Sequence, residues 1–282
     1  MIDLLVTYLQ FGRINEIDAY FAKVVEATRP KCVRVYVDDV VDKSQELLAK
    51  RLYAGYDIRC GAWFDRTLTL LQIIQDAKAE ASDLLIVDSD NILHPDFAGF
   101  DDAMARKGYT SYNIMEEGFV EKGKYVARSR LLGYVDVGDR RIDVYSYRIP
   151  GSWHGVLYVG RKQAVRIGSE LLGRLDPEVM TDIERAVRGV DPPLRPFLTD
   201  ETTLGFLYYY SGVRELPWSV YSVHAKHGAP TGTRRSTRRL LNSMAFCQFA
   251  RGLSGRKYPR SVWLYWRYKA SEIRATLETV AK

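Results

Sequence analysis

Strand-like segments alternate with helical patterns in the first third of the chain, and this alternation most limits the possible folds. Short runs rich in branched and aromatic residues occupy 2–8, 32–37 and 84–87, with a fourth from Tyr56. Helical periodicity separates them at about 16–28, 43–52 and 67–81. Such alternation predicts an α/β, Rossmann-like fold with a mostly parallel central sheet flanked by helices.

The pattern becomes less regular after Phe97. Tyr- and Val-rich segments within 109–148 predict further strands, some of them antiparallel. The segments 160–173 and 202–211 predict helices, 219–223 predicts a short strand, and the prolines of 191–197 predict a loop.

The composition is that of an ordinary soluble protein, with 46% hydrophobic and 27% charged residues. No segment approaches the roughly 20 apolar residues that cross a bilayer. The first residues, MIDLLVTYL, carry an acid where a signal peptide needs positive charge. Three cysteines (Cys32, Cys60 and Cys247) lack metal-ligand spacing. These features predict a cytoplasmic protein with reduced cysteines.

Two carboxylates follow the apolar run of DLLIVDSDN (83–91). In an extended segment, side chains at i and i+2 point the same way, so Asp88 and Asp90 are predicted to face one point. Like charges this close need a counter-charge, and Mg²⁺ or Mn²⁺, which prefer oxygen ligands, would supply it. The alternative is a turn in which Asp and Asn cap the next segment.

Four segments in order resemble glycosyltransferases of the GT-A fold, in particular the inverting enzymes of family 2. They are VRVYVDDVVDKS (33–44), AKAEASDLLIVDSDNILHPDF (77–97), WHGVLYVGRKQAVRIG (153–168) and TDETTLGFLYYYSGVRELPWSVYSVH (199–224). The resemblance covers about 2–240. It implies a nucleotide-binding half at 1–97 and an acceptor half at 98–232, which together form a GT-A domain (1–232).

The resemblance implies a donor site for a UDP- or GDP-sugar. Asp90 is expected to bind the metal, Asp88 to bind the metal or the ribose, and His224 to be the third metal contact, with His227 as the fallback. The remaining nucleotide-sugar candidates follow from strand ends or from the resemblance: Thr7, Tyr8, Asp38, Asp39 and Arg66.

Catalysis and acceptor binding are assigned to two other segments. A base must take the proton from the acceptor hydroxyl, and a carboxylate suits this role. The resemblance places Glu201 at the base position with Asp200 beside it, while helix capping remains the alternative for both. Trp153 and His154 are candidates for the site of a lipid-linked or glycan acceptor.

The positive charge of the chain is concentrated at its end. Residues 234–282 contain 12 Lys and Arg against two Glu, a net of +10, while the whole chain carries +6. Arg234 and Arg235 are candidates for binding the diphosphate, because arginine forms a planar fork. We predict a basic, aromatic-rich helical extension at 233–282. Packing on the catalytic domain is favoured over peripheral membrane contact, and nucleic-acid binding is least favoured.

Other functions remain open at this stage. A sugar-phosphate nucleotidyltransferase would share the nucleotide-binding architecture. A haloacid-dehalogenase-like phosphotransferase also begins with a strand that ends in D-x-D, but there Gly-Thr normally follows, whereas Asn91-Ile92 follow here. In a non-enzymatic membrane- or nucleic-acid-binding protein, the acids would be structural.

Overall fold

The structure, a computed structural model, describes residues 1–16, 18–116, 129–148, 163–224 and 235–253, with a few helical positions between 270 and 278. Over these residues, ten strands form one sheet. They are β1 (Leu4–Gln10), β2 (Cys32–Asp38), β3 (Asp57–Cys60), β4 (Leu84–Val87), β5 (Asn91–Leu93), β6 (Tyr112–Glu116), β7 (Arg130–Val137), β8 (Arg140–Arg148), β9 (Ala164–Ile167) and β10 (Glu215–His224).

Helices cover both faces of this sheet. In the described part they are α1 (Asp18–Thr28), α2 (Lys43–Leu52), α3 (Arg66–Ala79), α4 (Phe97–Arg106), α5 (Ser169–Arg174), α6 (Pro177–Arg188), α7 (Asp200–Tyr210) and α8 (Arg235–Leu253). Short 3-10 helices occupy Phe11–Glu16 and Arg195–Phe197.

The strand order is β3-β2-β1-β4-β9-β6-β10-β8-β7, and β5 pairs with β10 beside this path. The strands β3, β2, β1 and β4 are parallel neighbours. Since β9 is antiparallel to both β4 and β6, and β10 is parallel to β6, the strands β6 and β10 run in the same direction as β4. The predicted α/β class with a mostly parallel sheet is therefore confirmed.

Alternating side chains of β1 show how the sheet builds a core on each face. Leu4, Val6 and Tyr8 belong to the apolar cluster shared with α3, α6, α7 and α8. Leu5 and Leu9 belong to the opposite cluster, shared with α1, α2 and α4. Because successive residues of a strand point to opposite faces, an apolar seven-residue strand can serve both clusters.

The predicted helix at 160–173 is wrong over 164–167. Residues 164–167 form β9, all four of them buried between β4 and β6, and helix α5 begins only at Ser169. Two of these four residues are β-branched, and such residues pack well on a sheet surface. Pairing with strands distant in sequence outweighs the weak local helical pattern.

Helix α8 packs on the same face as α6. Ala245, Phe246, Phe249 and Leu253 are buried in that cluster. This packing agrees with the favoured interpretation of the first part of the extension, although Met244 is 37% exposed. The aromatic segment after Gly255 lies outside the described residues, so its membrane contact and the boundary at 232 stay predictions. None of the described helices combines the length and apolar character needed to cross a bilayer.

Candidate functional site

A cleft opens at the carboxyl ends of the parallel strands, where the strand order reverses between β1 and β4. Its cavity volume is about 180 Å³. The lining residues come from the ends of β1, β2 and β4, from the 3-10 helix after β1, from the start of α3 and from the residue before β9: Tyr8, Leu9, Gln10, Arg13, Asp38, Arg66, Thr69, Asp88, Ser89, Asp90 and Gln163. In open α/β sheets, ligands bind in the crevice at such a reversal point. The fold alone therefore predicts a binding site here.

Asp38, at the end of β2, organises the loop that leads to α3. Its carboxylate accepts hydrogen bonds from the backbone amides of Trp63 (2.8 Å), Phe64 (2.9 Å) and Asp65 (3.1 Å). Asp65 then caps α3 by accepting from the amides of Thr67 and Leu68. The Asp38 side chain thus positions the helix start that carries Arg66.

Asp39 and Thr7, two further predicted nucleotide-site residues, lie in different surroundings. Asp39 has a left-handed backbone (φ 64°), and burial, together with the charge of Asp38, raises the pKa of its carboxyl group. Thr7 is fully buried, and its hydroxyl has no hydrogen-bond partner among the described residues. Neither residue belongs to the cleft lining.

Tyr8 joins a buried acid to an arginine that reaches the cleft. Its phenol donates a hydrogen bond to Asp200 Oδ2 and accepts one of 3.2 Å from Arg66 Nη2. Burial, and then the charge of Asp200, raises the pKa of Tyr8 well above its usual value. The phenol therefore keeps its proton across the physiological pH range and remains a donor to Asp200.

The guanidinium of Arg66 lies between two carboxylates. Arg66 Nη2 is 3.8 Å from Asp88 Oδ1 and 3.8 Å from Asp200 Oδ2. Its Cζ lies 5.3 Å from the centre of the Tyr8 ring. The Arg66 side chain is 60% exposed, whereas that of Asp200 is 5% exposed. A ligand in the cleft can reach this arginine, whereas Asp200 is not among the residues that line the cleft.

Asp88 and Asp90 lie in a turn, which is the alternative that the sequence left open, and not in an extended segment. The amide of Asn91 donates to the Asp88 carbonyl (3.0 Å), and this turn joins β4 to β5. Ser89, between them, lines the same cleft. Because the turn lies at the edge of the cleft, both aspartates line it.

The two aspartates offer oxygen ligands of the kind that Mg²⁺ and Mn²⁺ prefer. Within the described residues, no group of three His, Cys, Asp or Glu side chains forms a metal site. Mg²⁺ is commonly held by one or two carboxylates plus substrate phosphates and water, so a pair of aspartates suffices for an ion that binds with a diphosphate. His224 pairs with Asn91 through the β10–β5 ladder, but its side chain lies outside the described part.

Glu201, the predicted base, lies in the first turn of α7 and is partly buried. Its backbone amide donates to Asp200 Oδ1 (3.1 Å), so the two acids are held in a fixed relation. Trp153, His154, His227 and Arg234 lie outside the described residues, and Arg235 begins α8 with its side chain likewise outside them. Their predicted roles stay predictions.

Several cleft residues were not predicted from the sequence. Leu9 and Gln10 were missed because the first strand was predicted to end at Tyr8, and it continues to Gln10. Gln163 was missed because its segment was predicted to be helical. It is buried, and its side-chain oxygen has no hydrogen-bond partner within the described ranges. Arg13 and Thr69 belong to no motif or predicted strand end that would have indicated a binding site.

Comparisons with known proteins show similarity in structure only. No protein-family model and no curated protein matches the sequence significantly. S. aureus TarS, residues 1–349, is similar over 98% of this chain and 71% of that chain, with 11% identity and a TM-score of 0.46. A mannose-1-phosphate geranyltransferase from Thermus thermophilus is similar over 78% of this chain and 73% of that chain, with 13% identity and a TM-score of 0.40. Similarities this low establish neither the family nor the activity.

Replacing Asp38 by asparagine should lower the free energy of unfolding by about 2 kcal/mol, because hydrogen bonds to a charged group contribute about 1.5–3 kcal/mol. The new amide group would also place a donor against the backbone donors of the 63–65 loop. Urea unfolding measures the loss. Asp39→Asn removes the same charge at a left-handed position that asparagine tolerates, and should change stability by less than about 0.5 kcal/mol. Equal losses in the two variants would contradict this role of Asp38.

Proposed function

We propose that the protein is a glycosyltransferase that moves a sugar from a nucleotide-sugar donor to an acceptor hydroxyl. The observation that carries this proposal is the cleft at the β1–β4 reversal point, where Asp88, Asp90, Arg66 and Tyr8 meet. The order of the four motif segments supports the GT-A resemblance, and an inverting reaction of the family 2 type is proposed on that basis.

A donor with a diphosphate requires positive charge near the leaving group. Arg66 presents a planar fork of N–H donors to the cleft, and such a fork matches phosphate oxygens. Asp88 and Asp90 would hold Mn²⁺ or Mg²⁺, which when bound would polarise the phosphate oxygens. The cavity of about 180 Å³ is smaller than the roughly 300–1,000 Å³ of typical ligand pockets, so part of the donor would extend beyond it.

Glu201 is the proposed base, with Asp200 as the alternative. The proton of the acceptor hydroxyl passes to the carboxylate while the acceptor oxygen forms its bond to the anomeric carbon. The bond from that carbon to the diphosphate oxygen breaks, and the nucleoside diphosphate leaves with the electron pair. Glu201 is favoured because Asp200 already accepts a hydrogen bond from Tyr8 and its side chain is 5% exposed.

The acceptor is proposed only as a class. Trp153 and His154 would contact a lipid-linked or glycan acceptor, and Arg234 and Arg235 would close on the diphosphate. A lipid-linked acceptor would place the protein, otherwise cytoplasmic, at the membrane surface through the basic extension.

Binding of nucleotide sugars tests the proposal. In a calorimetric panel of UDP- and GDP-sugars, at least one donor should bind more tightly with Mn²⁺ than without it. Asp90→Asn should reduce that gain by tenfold or more, because a neutral amide is a poor metal ligand. Asp139→Asn, at an exposed position of the β7–β8 turn, removes the same charge and should leave the gain intact.

Two results would contradict the glycosyltransferase proposal. One is the absence of any nucleotide-sugar binding with or without metal. The other is release of pyrophosphate from a nucleoside triphosphate and a sugar phosphate, which would identify a nucleotidyltransferase that uses the same cleft.

Replacement of Glu201 by glutamine should slow donor hydrolysis, with water as the acceptor, by about 100-fold or more, because a positioned base contributes about 10²–10⁴-fold. Nucleoside diphosphate release is the measurement, made with the donor that binds best. Donor affinity should stay within about twofold, since the base acts on the acceptor. Glu170→Gln, on the surface of α5, serves as the control. Unchanged hydrolysis in Glu201→Gln would leave Asp200 as the candidate base.

A further inference from the structure

We infer that Arg66 acts as an internal cation. Without a donor, its guanidinium pairs with Asp88 where a divalent metal would bind, and when a donor binds, the guanidinium moves to the diphosphate. This inference rests on the proposed function and assigns Arg66 a second role beyond contact with the nucleotide. Donor and divalent metal would then bind with positive coupling, because each ligand removes an obstacle to the other.

The geometry places the guanidinium where it competes with a metal. Arg66 Nη2 lies 3.8 Å from Asp88 Oδ1, close enough for a direct ion pair. A divalent ion bound to the same carboxylate would lie within a few ångströms of this positive charge, and like charges at that distance repel strongly. Metal binding to the donor-free protein is therefore opposed as long as Arg66 stays on Asp88.

The neighbouring contacts hold Arg66 in this position without fixing it there permanently. Tyr8 accepts a hydrogen bond from Nη2, and its ring packs against the guanidinium. Asp200 lies at 3.8 Å on the other side. Because the side chain is 60% exposed, it can turn toward a ligand in the cleft without unpacking the core. The exchange therefore needs only a side-chain movement.

A diphosphate is the ligand that best fits this exchange. It carries negative charges on oxygens that match the arginine fork, so Arg66 can pair with it and release Asp88. Asp88 and Asp90 are then both available to a metal that also contacts the phosphates. The coupling is reciprocal: if UDP or GDP tightens metal binding by some factor, metal tightens nucleotide binding by the same factor.

Titration of Mn²⁺, followed by its electron paramagnetic resonance signal, tests the exchange with and without saturating UDP or GDP. Without nucleotide, Arg66→Gln should bind Mn²⁺ about three- to tenfold more tightly than the unaltered protein, where tenfold corresponds to about 1.4 kcal/mol. The variant should also bind the nucleotide more weakly, and the factor by which nucleotide tightens Mn²⁺ binding should shrink correspondingly.

Two control variants separate the competing charge from other effects. Arg66→Lys keeps a positive charge near Asp88, so its Mn²⁺ affinity without nucleotide should stay close to that of the unaltered protein. Arg59→Gln removes a positive charge on β3, where Arg59 pairs with Asp57, and should change neither measurement. Thermal unfolding confirms that each variant folds. If Arg66 had only a structural role, Arg66→Gln would lower the melting temperature without raising the affinity for Mn²⁺.

The outcomes distinguish this inference from the proposed function. If the unaltered protein binds neither UDP nor GDP with or without Mn²⁺, the proposed function fails, and the inference fails with it. If the unaltered protein binds nucleotide and metal but Arg66→Gln binds Mn²⁺ no more tightly without nucleotide, only the inference is overturned.

Discussion

The pairing of β1 with a parallel neighbour on each side is the constraint on which the rest of the structure depends. Hydrogen bonds of the ladder fix β2 on one edge of β1 and β4 on the other. Along the sheet, the chain continues from β1 toward β2 and from β4 toward β6, in opposite lateral directions, and a crevice remains at this reversal point. Tyr8, Asp38 and Asp88 reach this crevice because the strands that carry them end at the same edge of the sheet.

A buried acid links this edge to the second half of the chain. Asp200, in the first turn of α7, is nearly inaccessible to solvent, and a buried carboxylate needs hydrogen-bond donors. Tyr8 supplies one through a proton that it keeps at physiological pH. The first half of the chain thus holds α7 in place, and Glu201 with it.

Local patterns predicted the elements whose signals lie within a few residues of one another. Helix α2 was predicted from its helical pattern with the bounds that it has, and β4 was predicted because four apolar residues follow one another. The helix predicted over the segment of β9 was wrong, because this segment becomes a strand by pairing with β4 and β6, which are far away in sequence. At Asp88–Asp90 the sequence left an extended segment and a turn open, and the segment that follows them, β5, pairs with the distant strand β10.

The candidate site was predictable only as a set of separate residues. The sequence singled out Tyr8, Arg66, Asp88 and Asp200, and the structure brings all four together. Which carboxylates Arg66 contacts could not be derived, because those contacts join β1, α3, the β4–β5 turn and α7. The hydrogen bonds by which Asp38 holds the 63–65 loop could not be predicted either, since its partners are backbone amides that any residues could supply.

A crystal structure of the protein with UDP or GDP and Mn²⁺ tests the account most directly. It should show the diphosphate in the crevice between the ends of β1 and β4, with Mn²⁺ on Asp88 or Asp90 and the Arg66 guanidinium on a phosphate oxygen. A nucleotide bound elsewhere, with Arg66 still paired to Asp88, would contradict it.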